Sequence, residues 1–365
     1  MLTRLDDYPL HQTPEPIAHP ATGDRNFYDR YFFHGYSRDG DLMFGAALGL
    51  YPNRRVMDAA VSVVADGVQH TVRASRLAPR ERTETRVGPI VVEVVEPLRT
   101  LRVRVEPNAT GIEGELLFEA CTEALEEPRM TTRAGGRVVL DATRLTQFGA
   151  WSGRLRWAGR ERVLDRRAVP GTRDRSWGIR PVGEPEGGAP APLPAQFFWV
   201  WAPLHFERHC ILAAVAEDAA GRPWFESGWR LTTGAFGEDS MHELRRVGHR
   251  LRWQPGTRRA AGGTLVLETV GGEVLEIDLE PLLVFPMRGL GYLGSDWGHG
   301  SYKGEDVTDG QTWELAREDP LSHLHVQQVV RARAGGETGI GVLEQLVIGP
   351  HAPSGFRDLL DPARD

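Results

Sequence analysis

The sequence predicts an all-β protein made of two consecutive antiparallel β-barrel or β-sandwich domains. Short strand-like runs recur about every 8 to 12 residues between turn residues, which is typical of barrels and sandwiches. The frame Gly-x5-Trp-Gly occurs at 171–178 and again at 291–298, each time after a strand-like run. A Pro- and Gly-rich stretch at 184–194 has the composition of a linker. We therefore expect a duplicated β-domain.

The linker composition sets the predicted domain boundaries. The expected parts are an N-terminal arm at 1–26, a first β-domain at 27–183, a linker at 184–194, a second β-domain at 195–350 and a C-terminal tail at 351–365. The four prolines of the arm favour an extended segment that wraps the surface. The last dozen residues are expected to form a short helix or a frayed end.

Turn residues delimit the strands in both halves. Asp66-Gly67 separates two apolar runs and is a strong signal for a two-residue hairpin. The predicted strands of the first half are 56–65, 68–74, 89–95, 101–105 and 114–121. Those of the second half are 196–203, 210–217, 224–231, 264–268 and 273–279. The same strand-and-turn pattern in both halves favours two similar antiparallel domains.

Composition excludes several classes of protein. At 365 residues, with 41% hydrophobic and 25% charged residues, the chain can bury two ordinary cores. The net charge of -7 argues against a nucleic-acid partner. The N-terminus lacks the apolar core of a signal peptide, and no run of about 18 apolar residues occurs, so we expect a cytoplasmic protein without an integral membrane segment. The sequence leaves open whether the protein forms a homodimer.

Scarce residue types narrow the chemistry further. Lys303 is the only lysine among 43 lysines and arginines, and its surroundings are no phosphate-binding loop, which argues against Schiff-base chemistry and nucleotide hydrolysis. Cys121 and Cys210 cannot supply a disulfide framework or a four-thiolate zinc site, and buried free thiols are the expected outcome. The usual hydrolase and dehydrogenase motifs are absent. We expect no organic cofactor.

Histidine pairs raise the question of a metal. His323 and His325 share one face of a possible strand, and His205 and His209 are four residues apart. Neither pair has a convincing third or fourth ligand at a familiar spacing. We therefore expect no metal site. His34, in an aromatic run, is expected in the core.

An aromatic strand suggests how an apolar ligand could be bound. Phe197, Trp199 and Trp201 alternate onto one face of the run 197–205, and Trp229 on a later strand could reach the same space. Ordinary core packing is one interpretation. The other is a pocket for a long apolar molecule, in which the rings could stabilise a carbocation.

Two acids next to tryptophans are candidate proton donors. An acid walled by indole is desolvated, so its pKa rises and it can hold a proton near neutral pH. Asp174 precedes Trp177, but the flanking Arg173 and Arg175 offer an alternative, a structural salt bridge. Asp296 precedes Trp297 without an adjacent base. His299 and Tyr302 follow it in sequence, which makes this cluster the better candidate for proton transfer.

Three segments together resemble the AttH/CrtC-like superfamily, which includes carotenoid 1,2-hydratases and pericyclases. They are the aromatic run at 26–33 with 48–53, the segment at 173–178, and the strand that carries Trp199 and Trp201. The resemblance implies tandem lipocalin-like β-domains with a ligand cavity at or between them. It also implies isoprenoid, polyene or polyketide-like substrates, and by position it points to Asp174 and Trp177. Arg175 stands where related turns often carry His, which removes a group that titrates near neutral pH.

The leading hypothesis is a cofactor-independent enzyme that hydrates or cyclises a hydrophobic isoprenoid or polyketide-like molecule. The proton would come from Asp296 or Asp174, with His299 and Tyr302 nearby. The substrate-binding candidates are Trp177, Trp199, Trp201, Trp229, Trp297, Arg175 and His205. Two alternatives are a non-catalytic lipid or isoprenoid carrier and a pericyclase that acts by shape alone.

Overall fold

The structure, a computed structural model, describes residues 2–182, 196–293 and 296–364. It contains strands and short 3-10 helices and, in the described residues, no α-helix. The strands form one large curled sheet and one closed barrel, which confirms the predicted all-β fold of two antiparallel domains. The predicted linker at 184–194 lies outside the described residues. Within them, no helix is long and apolar enough to span a bilayer.

In the described residues, the first sheet has fourteen strands. Thirteen come from the first half of the chain: β1 Phe27–Tyr36, β2 Leu42–Tyr51, β3 Val56–Ala65, β4 Val68–Leu77, β5 Arg86–Val87, β6 Ile90–Glu96, β7 Thr100–Val105, β8 Glu113–Ala120, β9 Leu125–Glu126, β10 Met130–Ala134, β11 Arg137–Trp157, β12 Arg160–Leu164 and β13 Pro170–Ile179. Strands β4, β3, β2, β1, β13, β11, β8, β7, β6 and β5 are adjacent in that order. The first and last strands of this half, β1 and β13, therefore lie side by side at the centre of the sheet.

The barrel is formed by eight strands of the second half. They are β14 Phe197–His205, β15 His209–Glu217, β16 Pro223–Thr232, β17 Met241–Trp253, β18 Ala260–Thr269, β19 Val274–Pro286, β21 His325–Ala334 and β22 Glu337–Ile348. Closure comes from pairing of β14 with β22. Alternate residues of β14, including Phe198 and Val200, fill the barrel with an apolar core.

A strand from the second half of the chain completes the first sheet. β20 Val307–Glu314 pairs antiparallel with β4 along its whole length. The preceding 3-10 helix, Met287–Leu290, packs against β3 and β4. The segment between β19 and β21 thus leaves the barrel, covers the first sheet and returns, which local sequence patterns do not reveal. The other 3-10 helices are Arg4–Asp7, Pro52–Arg54, Glu238–Ser240, Leu315–Arg317, Pro320–Ser322 and Ala352–Ser354.

The predicted Asp66-Gly67 hairpin is confirmed. β3 and β4 meet at this turn, and both turn residues have positive φ, 49° and 73°, as a two-residue turn of this kind requires. The C-terminal residues are also ordered against the barrel. Phe356 is buried, and the Arg258 guanidinium donates a 2.6 Å hydrogen bond to Asp361.

The first Gly-x5-Trp-Gly frame, at 171–178, does not follow a strand as expected but lies inside strand β13. Its glycines serve close packing instead. A Cβ at Gly171 would lie 2.2 Å from the carbonyl oxygen of His34, and one at Gly178 would lie 2.1 Å from that of Asp141. The second copy begins at Gly291, which follows a 3-10 helix. The two frames are therefore not equivalent in structure.

Candidate functional site

The candidate site lies where one face of the first sheet packs against the outside of the barrel. Because strand residues alternate between faces, β1 directs Arg30, Phe32 and His34 to one side, and the paired register places Asp174 of β13 and Arg144 of β11 on that same side. We call this surface the inter-domain face. The predicted Trp199 and Trp201 lie opposite it, on the outer side of the barrel.

Asp174 is half-buried on the inter-domain face. Burial raises the pKa of its carboxyl from 3.8 to about 6, although the charges of Arg144 and Arg30 oppose the rise. No hydrogen bond to this carboxyl is found in the described part of the chain. A carboxyl with this pKa, in partial contact with solvent, can carry a proton near neutral pH and release it.

Arg144 connects the first sheet to the two tryptophans. Its guanidinium donates hydrogen bonds of 2.8 and 2.5 Å to the two carboxylate oxygens of Glu127. The same group lies 5.2 Å from the ring centroid of Trp199 and 5.5 Å from that of Trp201. These distances are those of cation–π contacts. One face of the aromatic pair is therefore occupied by a side chain of the protein.

Glu344 is the acceptor at the centre of a buried hydrogen-bond network. Its carboxylate accepts from Trp199 Nε1 at 2.9 Å and from Gln327 Nε2 at 2.6 Å, and His325 Nε2 lies 3.1 Å away. Burial alone would raise the pKa of Glu344, but these contacts outweigh it and lower the pKa to about 2. His34 Nδ1 in turn donates to Gln327 Oε1 at 3.1 Å. Glu344 is thus a fixed anion and no proton donor.

A second cluster surrounds Tyr292. Its hydroxyl accepts a hydrogen bond from Arg30, and its ring lies 4.4 Å, centroid to centroid, from both His299 and His325. His299 Nε2 donates to the carbonyl of Leu290 at 2.9 Å, so Nδ1 accepts from an Arg180 N–H, also at 2.9 Å. Burial, reinforced by the nearby arginine charges, keeps the pKa of His299 well below 6.5. This imidazole is therefore neutral.

A small cavity lies beside Asp58 on the same face. It has a volume of about 20 Å³, and its lining includes Arg30, Asp58 and His299. Such a volume suits a single water molecule and is too small for an isoprenoid. Asp58 accepts a 2.6 Å hydrogen bond from the amide of Gly300, and burial raises its pKa to about 6.

The neighbours expected for Asp174 from the sequence lie on the opposite side of β13. Trp177 is 38% exposed there, so no indole of this segment walls the acid. Arg175 pairs with Asp29 at 2.7 Å, and Arg173 donates a hydrogen bond to Gln147 at 2.9 Å. Strand alternation therefore excludes both the predicted pocket with Trp177 and the alternative salt bridge to the flanking arginines.

The expected acid cluster at 296–302 does not assemble. The Asp296 side chain is 77% exposed and forms an ion pair with Lys303, and this hydrogen bond lowers its pKa, which is the reverse of the expected desolvation. Tyr302 is 49% exposed. His299 is buried with Tyr292 and Arg180, and Trp297 packs near Arg73 and Lys303.

Three aromatic candidates of the second half share one cluster. Trp199, Trp201 and the half-buried Trp229 pack with Phe148 of the first sheet, outside the barrel. On the other side of β14, Phe198 and Val200 fill the barrel interior. His205 lies at the same junction, where its Nδ1 is 2.9 Å from the Tyr36 hydroxyl.

A separate open groove of about 830 Å³ lies on the barrel. Its lining includes Arg208, His209, Arg230, His242 and Glu337. It shares no lining residue with the Asp174 surroundings. Its walls mix charged side chains with Met241, Leu244 and Val270, and Asp174 is not among them, so we do not place the reaction there.

Sequence reasoning missed several residues of the inter-domain face and of the second half that packs against it. These are Arg30, Asp58, Arg144, Arg180, Tyr292, Gln327 and Glu344. For β1 a local signal existed: Arg30 and His34 are polar residues on the same face of an otherwise aromatic strand. No local signal connects Glu344 with Trp199, because 145 positions separate them.

The architecture is that of tandem lipocalin-like proteins of the AttH type, and the expected resemblance is confirmed for the fold. Kievitone hydratase from Nectria haematococca is similar with a TM-score of 0.51 and 14% identity, over 87% of this chain and 88% of that chain. The AttH-type protein NE1406 of Nitrosomonas europaea is similar with a TM-score of 0.50 and 13% identity, over 88% and 92% of the two chains.

The chain itself belongs to the family of unknown function DUF8625, whose model matches residues 2–357. The structure of CghA with Sch210972 shows 12% identity and a TM-score of 0.49, over 88% of this chain and 89% of that chain. A comparison with curated proteins found no match.

Proposed function

We propose that the protein is an enzyme that protonates a hydrophobic small molecule and thereby hydrates or cyclises it, with Asp174 as the proton donor. The observation that supports this proposal is the state of Asp174: half-buried, without a hydrogen-bond partner in the described residues, and with a pKa of about 6. A general acid works best when its pKa lies near the working pH. Neither Glu344 nor Asp296 meets this condition.

The chemical step is a proton transfer to carbon followed by addition. The Asp174 carboxyl gives its proton to one carbon of an alkene, and the other carbon becomes cationic. In hydration a water oxygen bonds to that carbon and its surplus proton returns to the carboxylate. In cyclisation a second alkene of the same molecule bonds instead, and loss of a C–H proton restores the acid. Neither route requires an organic cofactor.

The charges around Asp174 suit a proton that leaves and returns. The positive charges of Arg30 and Arg144 stabilise the carboxylate after transfer, while burial favours the neutral acid before it. The substrate class that we propose is an isoprenoid or polyketide-like molecule that reaches the exposed side of Asp174. Kievitone hydratase shares the fold at 14% identity, so its hydration reaction serves as an analogy.

Deuterium labelling tests the proposal directly. Wild-type protein and the variants Asp174→Asn and Asp296→Asn are incubated with a mixed lipid and isoprenoid extract in deuterated water. Mass spectrometry then identifies bound and released species. We expect deuterium on carbon with the wild type and Asp296→Asn, and none with Asp174→Asn.

Circular dichroism of each variant shows whether it is folded. A ligand recovered unchanged from the wild type would favour a carrier, and an isomer without deuterium would favour catalysis by shape alone. Either result contradicts the proposal, as does full labelling by a folded Asp174→Asn protein.

A further inference from the structure

The two cysteines, expected to be buried free thiols, lie together with a histidine. One ligand atom each of Cys121, His205 and Cys210 lies within 4.8 Å of the others. Within residues 2–182, 196–293 and 296–364, this is the one group of three or more His, Cys, Asp or Glu side chains with such spacing. We infer that these three side chains bind a thiophilic metal ion, Zn²⁺ or Cu⁺, at the junction of the first sheet and the barrel.

The fold brings the three ligands together from both domains. His205 at the end of β14 and Cys210 near the start of β15 are directly opposite each other in the antiparallel pair, so their side chains share one face. Cys121 follows β8 of the first sheet. Its amide donates to the carbonyl of Phe148 at 2.9 Å, and its carbonyl accepts from the amide of Gly234 at 2.7 Å. The third ligand is therefore held by backbone contacts to both domains.

The imidazole of His205 has one nitrogen available. Nδ1 lies 2.9 Å from the hydroxyl of Tyr36, whereas the buried Nε2 has no hydrogen-bond partner in the described part of the chain. His205 is only 5% exposed, so water cannot freely satisfy that atom. Metal-binding histidines usually have one nitrogen hydrogen-bonded to the protein and the other on the metal. Tyr36 thus acts as a positioning residue.

The donor set favours a soft ion. Two sulfurs and one imidazole suit Cu⁺ and Zn²⁺ and disfavour Mg²⁺ and Ca²⁺, which prefer oxygen ligands. Three ligands can complete the coordination of Cu⁺. Zn²⁺ takes a fourth ligand, which could be a water or the hydroxyl of Thr233, 3.7 Å from Cys210 Sγ. On binding, each thiol that becomes a thiolate releases one proton to solvent, and no oxidant is involved.

The site does not coincide with the proposed catalytic residue. Phe148 packs against it, with its ring centroid 5.1 Å from that of His205. The role that follows from its position is to join the two domains. Metal binding can therefore be tested whether or not the protein protonates a substrate.

The test measures metal binding by the reduced full-length protein. Metal-free protein is titrated with Zn²⁺ against a chromophoric chelator and, under anaerobic conditions, with Cu⁺ against a competing Cu⁺ chelator. Co²⁺ serves as a spectroscopic probe, because thiolate ligation produces a ligand-to-metal charge-transfer band. We expect the protein to bind one equivalent of Zn²⁺ or Cu⁺. The ion that binds more tightly is the one the site prefers.

Variants then assign the ligands. Cys121→Ser, Cys210→Ser and His205→Gln should each lose affinity by about 100-fold or more, and Tyr36→Phe by roughly 10- to 100-fold. His209→Gln is the matched control, because His209 is in the same hairpin and outside the cluster. It should bind like the wild type.

Three outcomes would overturn the inference. The first would be that the reduced wild-type protein binds neither ion. The second would be that the Cys121→Ser protein binds metal as tightly as the wild type. The third would be that mass spectrometry finds a Cys121–Cys210 disulfide in freshly prepared protein that binds no metal after reduction. The first and third outcomes are measured on the wild-type protein, so the inference can be refuted even if a variant fails to fold.

Discussion

The indole nitrogen of Trp199 donates a 2.9 Å hydrogen bond to Glu344, whereas that of Trp201, two residues further along the same strand face, is buried without a partner in the described residues. Both rings lie near the Arg144 guanidinium and pack in the same apolar cluster. The two tryptophans therefore differ mainly in whether the indole N–H has a hydrogen-bond acceptor. This difference can be measured.

Trp199→Phe should destabilise the protein more than Trp201→Phe. Both changes remove packing, but only the first breaks a hydrogen bond to a carboxylate, worth about 1.5–3 kcal/mol. Trp201→Phe also removes an unsatisfied buried donor, which offsets part of its loss. Urea unfolding followed by far-UV circular dichroism measures the free energy of unfolding of each variant. Equal losses would contradict the assigned network.

Asp174→Asn should stabilise the folded protein at pH 7.5. The pKa of this carboxyl is about 6 when folded and 3.8 when unfolded, so the folded state binds the proton more tightly. Proton binding by Asp174 therefore stabilises the folded state fully below pH 3.8, and this stabilisation is lost as the pH rises through 6. The resulting gain for the variant is at most about 3 kcal/mol, because one pKa unit corresponds to 1.36 kcal/mol.

The measurement is the melting temperature of wild type and variant between pH 4.5 and 8. The difference between them should grow from pH 5 to pH 7. Asp296→Asn is the control, because Asp296 is exposed and ion-paired and should show no such gain. A pH-independent effect of Asp174→Asn would show that the acid is not desolvated.

Glu344→Gln should destabilise the protein at neutral pH by roughly 1–3 kcal/mol. The change removes the negative charge that Trp199, Gln327 and His325 contact. The pKa of Glu344 is lowered from 4.5 to about 2 on folding, so its stabilisation is present above pH 4.5 and is lost as the pH falls toward 2.

Denaturant unfolding at several pH values checks this prediction. The gap between wild type and Glu344→Gln should narrow as the pH falls below 4.5. Glu337→Gln serves as a control at the other end of β22, where the side chain is 49% exposed. A constant gap would argue that the loss comes from packing and not from charge.

Gly178→Ala should lower the free energy of unfolding by about 3 kcal/mol or more. Gly178 has φ of 130°, which L side chains rarely adopt, and its added Cβ would collide with the carbonyl of Asp141. Gly23→Ala is the matched change, because nothing lies within 4 Å of a Cβ there and its φ is not positive. If both variants unfold at the same urea concentration, the close approach of β13 and β11 is misplaced.

Sequence reasoning worked best where contacts are local. The Asp66-Gly67 turn specifies its own hairpin, because two neighbouring residues with positive φ decide the geometry. It failed where the decisive contact is distant. Asp296 looked unpaired until the fold placed the Lys303 ammonium beside it, and Arg173 and Arg175 looked like partners of Asp174 although strand alternation turns them away.

The sequence alone determined the all-β class, the alternation of strands and turns, and the presence of candidate acids, rings and thiols. These properties depend on residues within a few positions of each other. The tertiary structure decided which of them meet. It set Asp174 beside Arg144, joined Cys121 to the His205 and Cys210 hairpin, and moved β20 onto the first sheet. Pairing between strands far apart in sequence depends on how whole apolar faces pack, and no short pattern encodes it.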